Sequence, residues 1–148
     1  MAATKRVPNA LIALAQFRRL EDTELIGSYL NERRWMLDGL EAIGRFPADL
    51  FFVRLQQIHG DQLSQPLPSL QILVSLYEAL VQYQSEASLT TMKDGLSAAD
   101  DFAASMNRVV LAVALARHPS SYFESVREIL TLSQVEKNAV QQMLANPD

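Results

Sequence analysis

The sequence predicts an all-α fold, a compact single-domain bundle of six to seven helices with short connections. Apolar residues recur at helical spacing through most of the chain, and no segment shows the period of two that is typical of strands. Glycine and proline are few, with 5 and 6 residues, and they stand where helices are expected to begin or end. A length of 148 residues with 49% hydrophobic residues suits one domain with its own core.

The helix boundaries are predicted from prolines and from side chains that can cap a helix. Proline is tolerated in a first turn, because the N–H group that it lacks has no partner there. Ser97 with Asp100, and Ser133 with Glu136, have the spacing of a capping box, in which each side chain bonds to the backbone of the other residue. The predicted helices cover residues 8–20, 22–44, 47–59, 67–86, 97–117, 119–130 and 133–146.

The predicted helices over 67–86 and 97–117 are expected to be the most buried. The first has only a narrow polar strip, and the second is apolar on all sides after Arg108, a pattern typical of buried helices. Residues 85–96 between them are the most loop-like stretch of the chain. We therefore expect one domain over 1–148, with any hinge at 85–96.

The charge distribution argues against a protein whose whole surface binds nucleic acid. The formal net charge is −4, whereas phosphate binding depends on a basic surface. Residues 1–60 contain eight basic and seven acidic side chains, while residues 61–148 contain five basic and ten acidic ones. The second half of the chain is therefore expected to present an acidic face, which suits a basic partner.

Cysteine is absent, which excludes disulfides, thiolate nucleophiles and cysteine-ligated metal sites. The longest apolar run, residues 109–116, is far shorter than the roughly 20 residues of a membrane-spanning helix. The apolar stretch after Lys5 and Arg6 is interrupted and too short for a signal peptide. We therefore expect a cytoplasmic protein without a membrane partner.

The two histidines, His59 and His118, favour helix capping over metal binding. Each stands at the predicted C-terminus of a helix, where an imidazole can meet carbonyl groups that have no partner. Neither belongs to a metal-binding motif, and no phosphate-binding loop or nucleophile motif is present. The sequence therefore predicts no metal, no cofactor and no catalytic residue.

Four residues are candidates for contact with a partner: Trp35, Arg34, Arg33 and Phe52. Trp35 points away from the apolar stripe of the helix predicted over 22–44, so it lies either at an interface or beneath another helix. Tryptophan and arginine are enriched among interface hot spots. Arg33 falls near the centre of the stripe, where its stem either extends to the surface or is buried with a partner.

Phe52 is the fourth candidate because of its place in the short third helix. Phe51 shares a predicted core face with Leu55 and Ile58, which leaves Phe52 pointing outward. An outward aromatic ring would add apolar area to a binding surface.

These features predict a non-enzymatic helical module that binds a partner protein, as an adaptor, regulator, inhibitor or small subunit of a larger assembly. The alternative is a small subunit of a nucleic-acid-processing or ribonucleoprotein complex. Its contacts to phosphates would be Arg18, Arg19, Arg33 and Arg34. Acidic residues interleaved with these arginines favour instead a solvated face with local ion pairs. A carboxylate-dependent hydrolase is a third hypothesis and requires a deep pocket with a perturbed acid.

Overall fold

The structure, a computed structural model, describes residues 36–45, 51–97 and 99–145. These residues contain seven α-helices and no strand. The all-α prediction is thereby confirmed. The helices are α1 (Met36–Arg45), α2 (Phe52–Leu63), α3 (Leu70–Leu80), α4 (Glu86–Asp94), α5 (Phe102–Arg117), α6 (Glu124–Ile129) and α7 (Gln134–Ala145). The helix predicted over 8–20 lies outside the described residues, and α1 corresponds to the end of the helix predicted over 22–44.

The core is built around α3, which packs against α1, α2 and α5. Its side chains Leu73, Leu76, Tyr77 and Leu80 are fully buried. They recur every three or four residues and so form one face of the helix. The second half of α5 is buried as well, and the predicted burial of these two helices is confirmed.

A smaller apolar cluster joins α5 to α7, through Val109 and Val113 on α5 and Val140 on α7. Ser105 near the start of α5 contacts Glu136 near the start of α7. Arg117 at the end of α5 contacts the carbonyl of Met143 near the end of α7. The helices therefore run parallel. The short helix α6 returns the chain from the end of α5 to the beginning of α7.

Residues 85–96 were expected to form a loop, and this prediction is wrong, because they contain α4. Ser85 caps the helix by accepting a hydrogen bond from the Ser88 backbone N–H at 3.1 Å. Inside the fold, the Ser88 hydroxyl donates to the Leu80 carbonyl at 3.0 Å and the Thr91 hydroxyl donates to the Ala87 carbonyl at 2.8 Å. The side chains that make this segment look loop-like thus satisfy their hydrogen bonds while they are buried, Thr91 within α4 and Ser88 at the end of α3.

The two predicted capping boxes have different outcomes. Ser133 and Glu136 form one, because the Glu136 N–H donates to the Ser133 hydroxyl at 3.2 Å and the Ser133 N–H donates to the Glu136 carboxylate at 2.9 Å. Ser97 does not cap α5. The helix begins at Phe102, and the carboxylate of Asp101 accepts from the Ala104 N–H at 2.7 Å.

Among the described residues, no helix has both the length and the apolar character needed to cross a lipid bilayer.

Candidate functional site

The predicted contact residues Trp35, Arg34 and Arg33 lie outside the described residues, as do Arg18 and Arg19. Their roles therefore stay predictions.

Phe52 is described, and the expectation that it points outward is wrong. Its ring is half-buried against the core and lies 5.3 Å from the ring of Tyr83, measured between centroids. Phe51 is buried as predicted. Tyr83 follows the end of α3 and contacts Phe52 at the start of α2, where Val53 is the exposed apolar residue.

A cleft of about 650 Å³ lies between the connection from α4 to α5, the first turns of α5, and the linker from α6 to α7. We refer to it as the α5–α7 cleft. Its lining residues are Leu96, Ser97, Asp100, Ser105, Arg108, Ile129, Leu130, Thr131, Ser133, Val135 and Glu136.

The mouth of the α5–α7 cleft is apolar and exposed. Ile129 at the end of α6 is 52% exposed, and Val135 at the start of α7 is 78% exposed. Phe102, one helical turn before the lining residue Ser105 on α5, is 61% exposed. Most large apolar side chains in the described residues are buried, and these three exposed ones lie in or next to the cleft.

The floor of the cleft is an ion pair between Arg108 and Glu136. The Arg108 guanidinium contacts one Glu136 oxygen at 2.9 and 3.0 Å, and both side chains are nearly buried. The Ser105 hydroxyl donates to the same oxygen at 2.7 Å. Burial alone would raise the pKa of Glu136, but the bonds from Ser133, Ser105 and Arg108 outweigh it and hold that pKa at about 2.

Arg108 also fixes one wall of the cleft. Its Nη1 atom donates to the carbonyls of Ser97 and Ala99, at 2.7 and 3.1 Å. The guanidinium thus joins the α4–α5 connection to α7 through α5. Because its hydrogen bonds are used in this way, Arg108 acts in the described structure as a structural clamp, and its charge is already matched by Glu136.

His59 does not cap a helix, contrary to the prediction. The helix α2 continues beyond it to Leu63, and the His59 ring is buried. Its Nε2 atom lies 3.0 Å from the Tyr77 hydroxyl. The Tyr77 hydroxyl in turn donates to the side-chain oxygen of Asn107, whose side-chain nitrogen donates to the Gly95 carbonyl at 2.6 Å. These four residues form a buried polar chain that links α2, α3 and α5 to the α4–α5 connection.

His118 does lie at the C-terminus of a helix, as predicted, since it follows the last residue of α5. Its ring, however, bonds to the Glu78 carboxylate, at 2.7 Å, rather than to a carbonyl. The carbonyl groups at the end of α5 are bound by Arg127, which donates to Leu115 and His118 at 3.1 and 2.9 Å. Sequence spacing could not reveal this role, because Arg127 comes from the following helix.

A smaller cavity of about 340 Å³ lies between α1 and α3 and includes three carboxylates, those of Asp38, Glu41 and Glu78. Burial and the nearby charge of Glu41 raise the pKa of Asp38. The Glu78 carboxylate is turned toward His118 and Arg117. Within the described ranges, no three histidine or carboxylate side chains are placed so that they could hold a metal ion.

Sequence reasoning missed the α5–α7 cleft because its residues come from two stretches, 96–108 and 129–136, that are separated along the chain. A weak signal exists at Ile129 and Val135, two β-branched apolar residues that flank a short linker. Comparisons of the chain with protein-family models, with curated proteins and with solved structures give no match.

Proposed function

We propose that this chain is a helical protein-interaction module that binds an apolar and basic segment of a partner protein in the α5–α7 cleft. The observation that carries the proposal is the exposure of Ile129 and Val135, at 52% and 78%, on the mouth of a cleft of about 650 Å³. Burial of such side chains against a partner is the usual source of binding free energy.

The polar groups of the cleft favour a protein segment over a small polar ligand. A small-molecule site needs a few convergent polar groups that fix the ligand's orientation. Here the Arg108 guanidinium and the Glu136 carboxylate are bonded to each other and to neighbouring groups. The surface that is left for a ligand is therefore largely the apolar mouth.

The charges around the cleft favour a basic partner. Asp100 lines the cleft and is exposed, and Asp101 and Glu128 are exposed next to lining residues. Lys137 is an exposed basic residue near the start of α7, and residues 61–148 as a whole contain ten acidic against five basic side chains. Lysine or arginine beside the apolar side chains of the partner would thus be attracted and oriented.

A non-enzymatic role as an adaptor, regulator, inhibitor or small subunit of an assembly follows from this mode of binding. Trp35, Arg34 and Arg33 are proposed as further contact residues on the basis of the sequence. The alternative of phosphate contacts through Arg18, Arg19, Arg33 and Arg34 stays a prediction, since these residues are outside the described ranges.

The test uses the ¹⁵N-labelled protein and two synthetic amphipathic helices, one of leucine and lysine and the other with glutamate in place of lysine. We expect the basic peptide to shift the amide resonances of Leu96, Ser97 and Val135. The doubly substituted variant Ile129→Ser, Val135→Ser should bind it at least about tenfold more weakly. The control is Val53→Ser, which removes an exposed apolar side chain on α2, 61% exposed and away from the cleft, and should leave binding unchanged.

Shifts that map to another surface, or equal binding of the two peptides, would contradict the proposal. The role of Trp35 has a separate test. Trp35→Ala should weaken the complex and leave thermal stability almost unchanged, whereas a large loss of stability would identify Trp35 as a core residue.

A further inference from the structure

One wall of the α5–α7 cleft is tied to the core by the buried polar chain. The Gly95 carbonyl, next to the lining residue Leu96, accepts from the Asn107 side chain at 2.6 Å. The Tyr77 hydroxyl has one hydrogen and gives it to Asn107. The oxygen of Tyr77 therefore acts as the acceptor for His59, so that Nε2 of His59 carries a proton and donates it at 3.0 Å.

Gly95 also covers the ring of His59. A Cβ atom built on Gly95 would lie 2.8 Å from Nε2 and 3.1 Å from Cε1 of His59. Gly95 also lines a second cavity of about 490 Å³, together with Asp94 and Ser97. The backbone at Gly95 thus lies against the imidazole and beside that cavity, and a side chain at this position would press on the ring.

We propose that protonation of His59 releases residues 95–97 from the core and so loosens one wall of the α5–α7 cleft. A second proton places a full positive charge on a buried ring. The imidazolium is stabilised by water and by the Asp94 carboxylate, and both become accessible when Gly95 moves away from the ring. The bond from Asn107 to the Gly95 carbonyl is broken in the same movement.

In the part of the chain that the structure describes, two ionisable groups face His59, the Tyr77 hydroxyl on α3 and the Asp94 carboxylate at the end of α4. The helix α5 contributes the uncharged Asn107 to the same polar chain. Burial lowers the pKa of His59 below its ordinary value of 6.5, and the charge of Asp94 opposes this in part. The form in which Gly95 covers the ring therefore binds the second proton weakly. The form in which residues 95–97 are released gains population as the pH falls below 6.5.

The release of residues 95–97 does not depend on the proposed function, but its effect on partner binding does rest on it. If the release and the proposed function both hold, the basic peptide binds more weakly as the pH falls below 6.5, the ordinary pKa of histidine. The chain would then release its partner in a mildly acidic environment.

The experiment measures hydrogen exchange in the free protein by NMR from about pH 7.5 to about pH 5, with intrinsic exchange rates removed. The reporter is the Leu96 amide, which donates to the Lys93 carbonyl at 3.0 Å. The reference is the amide of Leu111, which is fully buried in α5. We expect the protection of Leu96 to fall by up to about tenfold per pH unit, with a smaller change at Leu111.

Two variants identify the titrating group, since the chain has two histidines. His59→Gln keeps a donor at the position of Nε2 but cannot titrate, and it should abolish the pH dependence at Leu96. His118→Gln is the matched control and should retain it. If His59→Gln does not fold, the imidazole resonances of the wild-type protein supply the test, because the titration of His59 must coincide with the loss of protection at Leu96.

Parallel loss of protection at Leu96 and Leu111 would mean global unfolding and would overturn the proposal. Persistence of the pH dependence in His59→Gln would overturn it as well. Binding of the basic peptide at neutral pH, with no selective change at Leu96, would leave the proposed function intact and remove the release mechanism alone.

Discussion

Asn107 and Arg108, which are consecutive on α5, hold neighbouring parts of the α4–α5 connection from opposite sides. Asn107 is fully buried and donates to the Gly95 carbonyl at 2.6 Å. Arg108 points toward the cleft and donates to the carbonyls of Ser97 and Ala99, at 2.7 and 3.1 Å. Adjacent residues on a helix differ by about 100° in direction. One turn of α5 therefore holds this wall of the cleft by two sets of hydrogen bonds, one from the buried Asn107 and one from Arg108 in the cleft.

Replacement of Glu136 by glutamine should destabilise the protein by about 1–3 kcal/mol, because the nearly buried Arg108 loses its counter-charge. The matched control is Glu128→Gln at an exposed position, which should change stability by less than about 0.5 kcal/mol. Urea denaturation of the two variants measures both effects. Equal and small losses would show that the ion pair contributes little to the fold.

The stability of the protein should depend on pH through Glu136. Its pKa is about 2 in the folded protein, against an ordinary value of 4.5. Because the folded-state value is lower, the unfolded chain binds the proton more readily, and the stabilisation is present above about 4.5 and lost as the pH falls toward about 2. Urea midpoints measured across this interval should fall less steeply in Glu136→Gln than in the wild-type protein. Identical slopes would contradict the prediction.

The start of α5 should be sensitive to Asp101 and insensitive to Ser97. Asp101→Ala removes the side chain that accepts from the Ala104 N–H at 2.7 Å, and loss of such a cap typically reduces stability by about 1 kcal/mol. The Ser97 side chain is exposed and accepts from the Ala99 N–H two residues away, so Ser97→Ala should have an effect below about 0.5 kcal/mol. Thermal denaturation of the pair distinguishes the two positions, and the reverse order would mean that Ser97 caps the helix.

Met92 should behave as a core residue although it lies in a polar stretch of sequence. It is fully buried in α4, and Met92→Ala should reduce stability by about 2–5 kcal/mol through lost contacts and a cavity. Leu67→Ala is the control, since Leu67 is 70% exposed and its removal should change stability little. Chemical denaturation supplies the comparison. A tolerant Met92 would mean that α4 detaches readily from the core.

The start of α7 contains one feature that local sequence predicts and one that it does not. Ser133 and Glu136 are three residues apart, and their reciprocal bonds form in any helix that begins there, so the capping box could be read from the chain alone. Glu136 has a second role, as the partner of Arg108 and Ser105. Those residues are about thirty positions earlier in the chain, and nothing in local spacing indicates that they meet Glu136.

The errors in prediction have the same origin. The sequence predicts a loop at 85–96, where serine and threonine have low helix propensity. In the packed helix α4, however, the Ser88 and Thr91 hydroxyl groups are satisfied by the Leu80 and Ala87 carbonyls. The sequence predicts that His59 caps the end of a helix over 47–59. The core instead accommodates this ring against Tyr77 and Gly95.

Sequence alone determined the helical class, the identity of the two most buried helices and the cap of α7, because each depends on periodicity or on groups within one turn. Tertiary packing decided where the exposed apolar side chains gather, which carboxylate neutralises Arg108 and what surrounds His59. These features join segments that are distant along the chain, and burial changes the free energy of a charge or a hydroxyl only after those segments have come together.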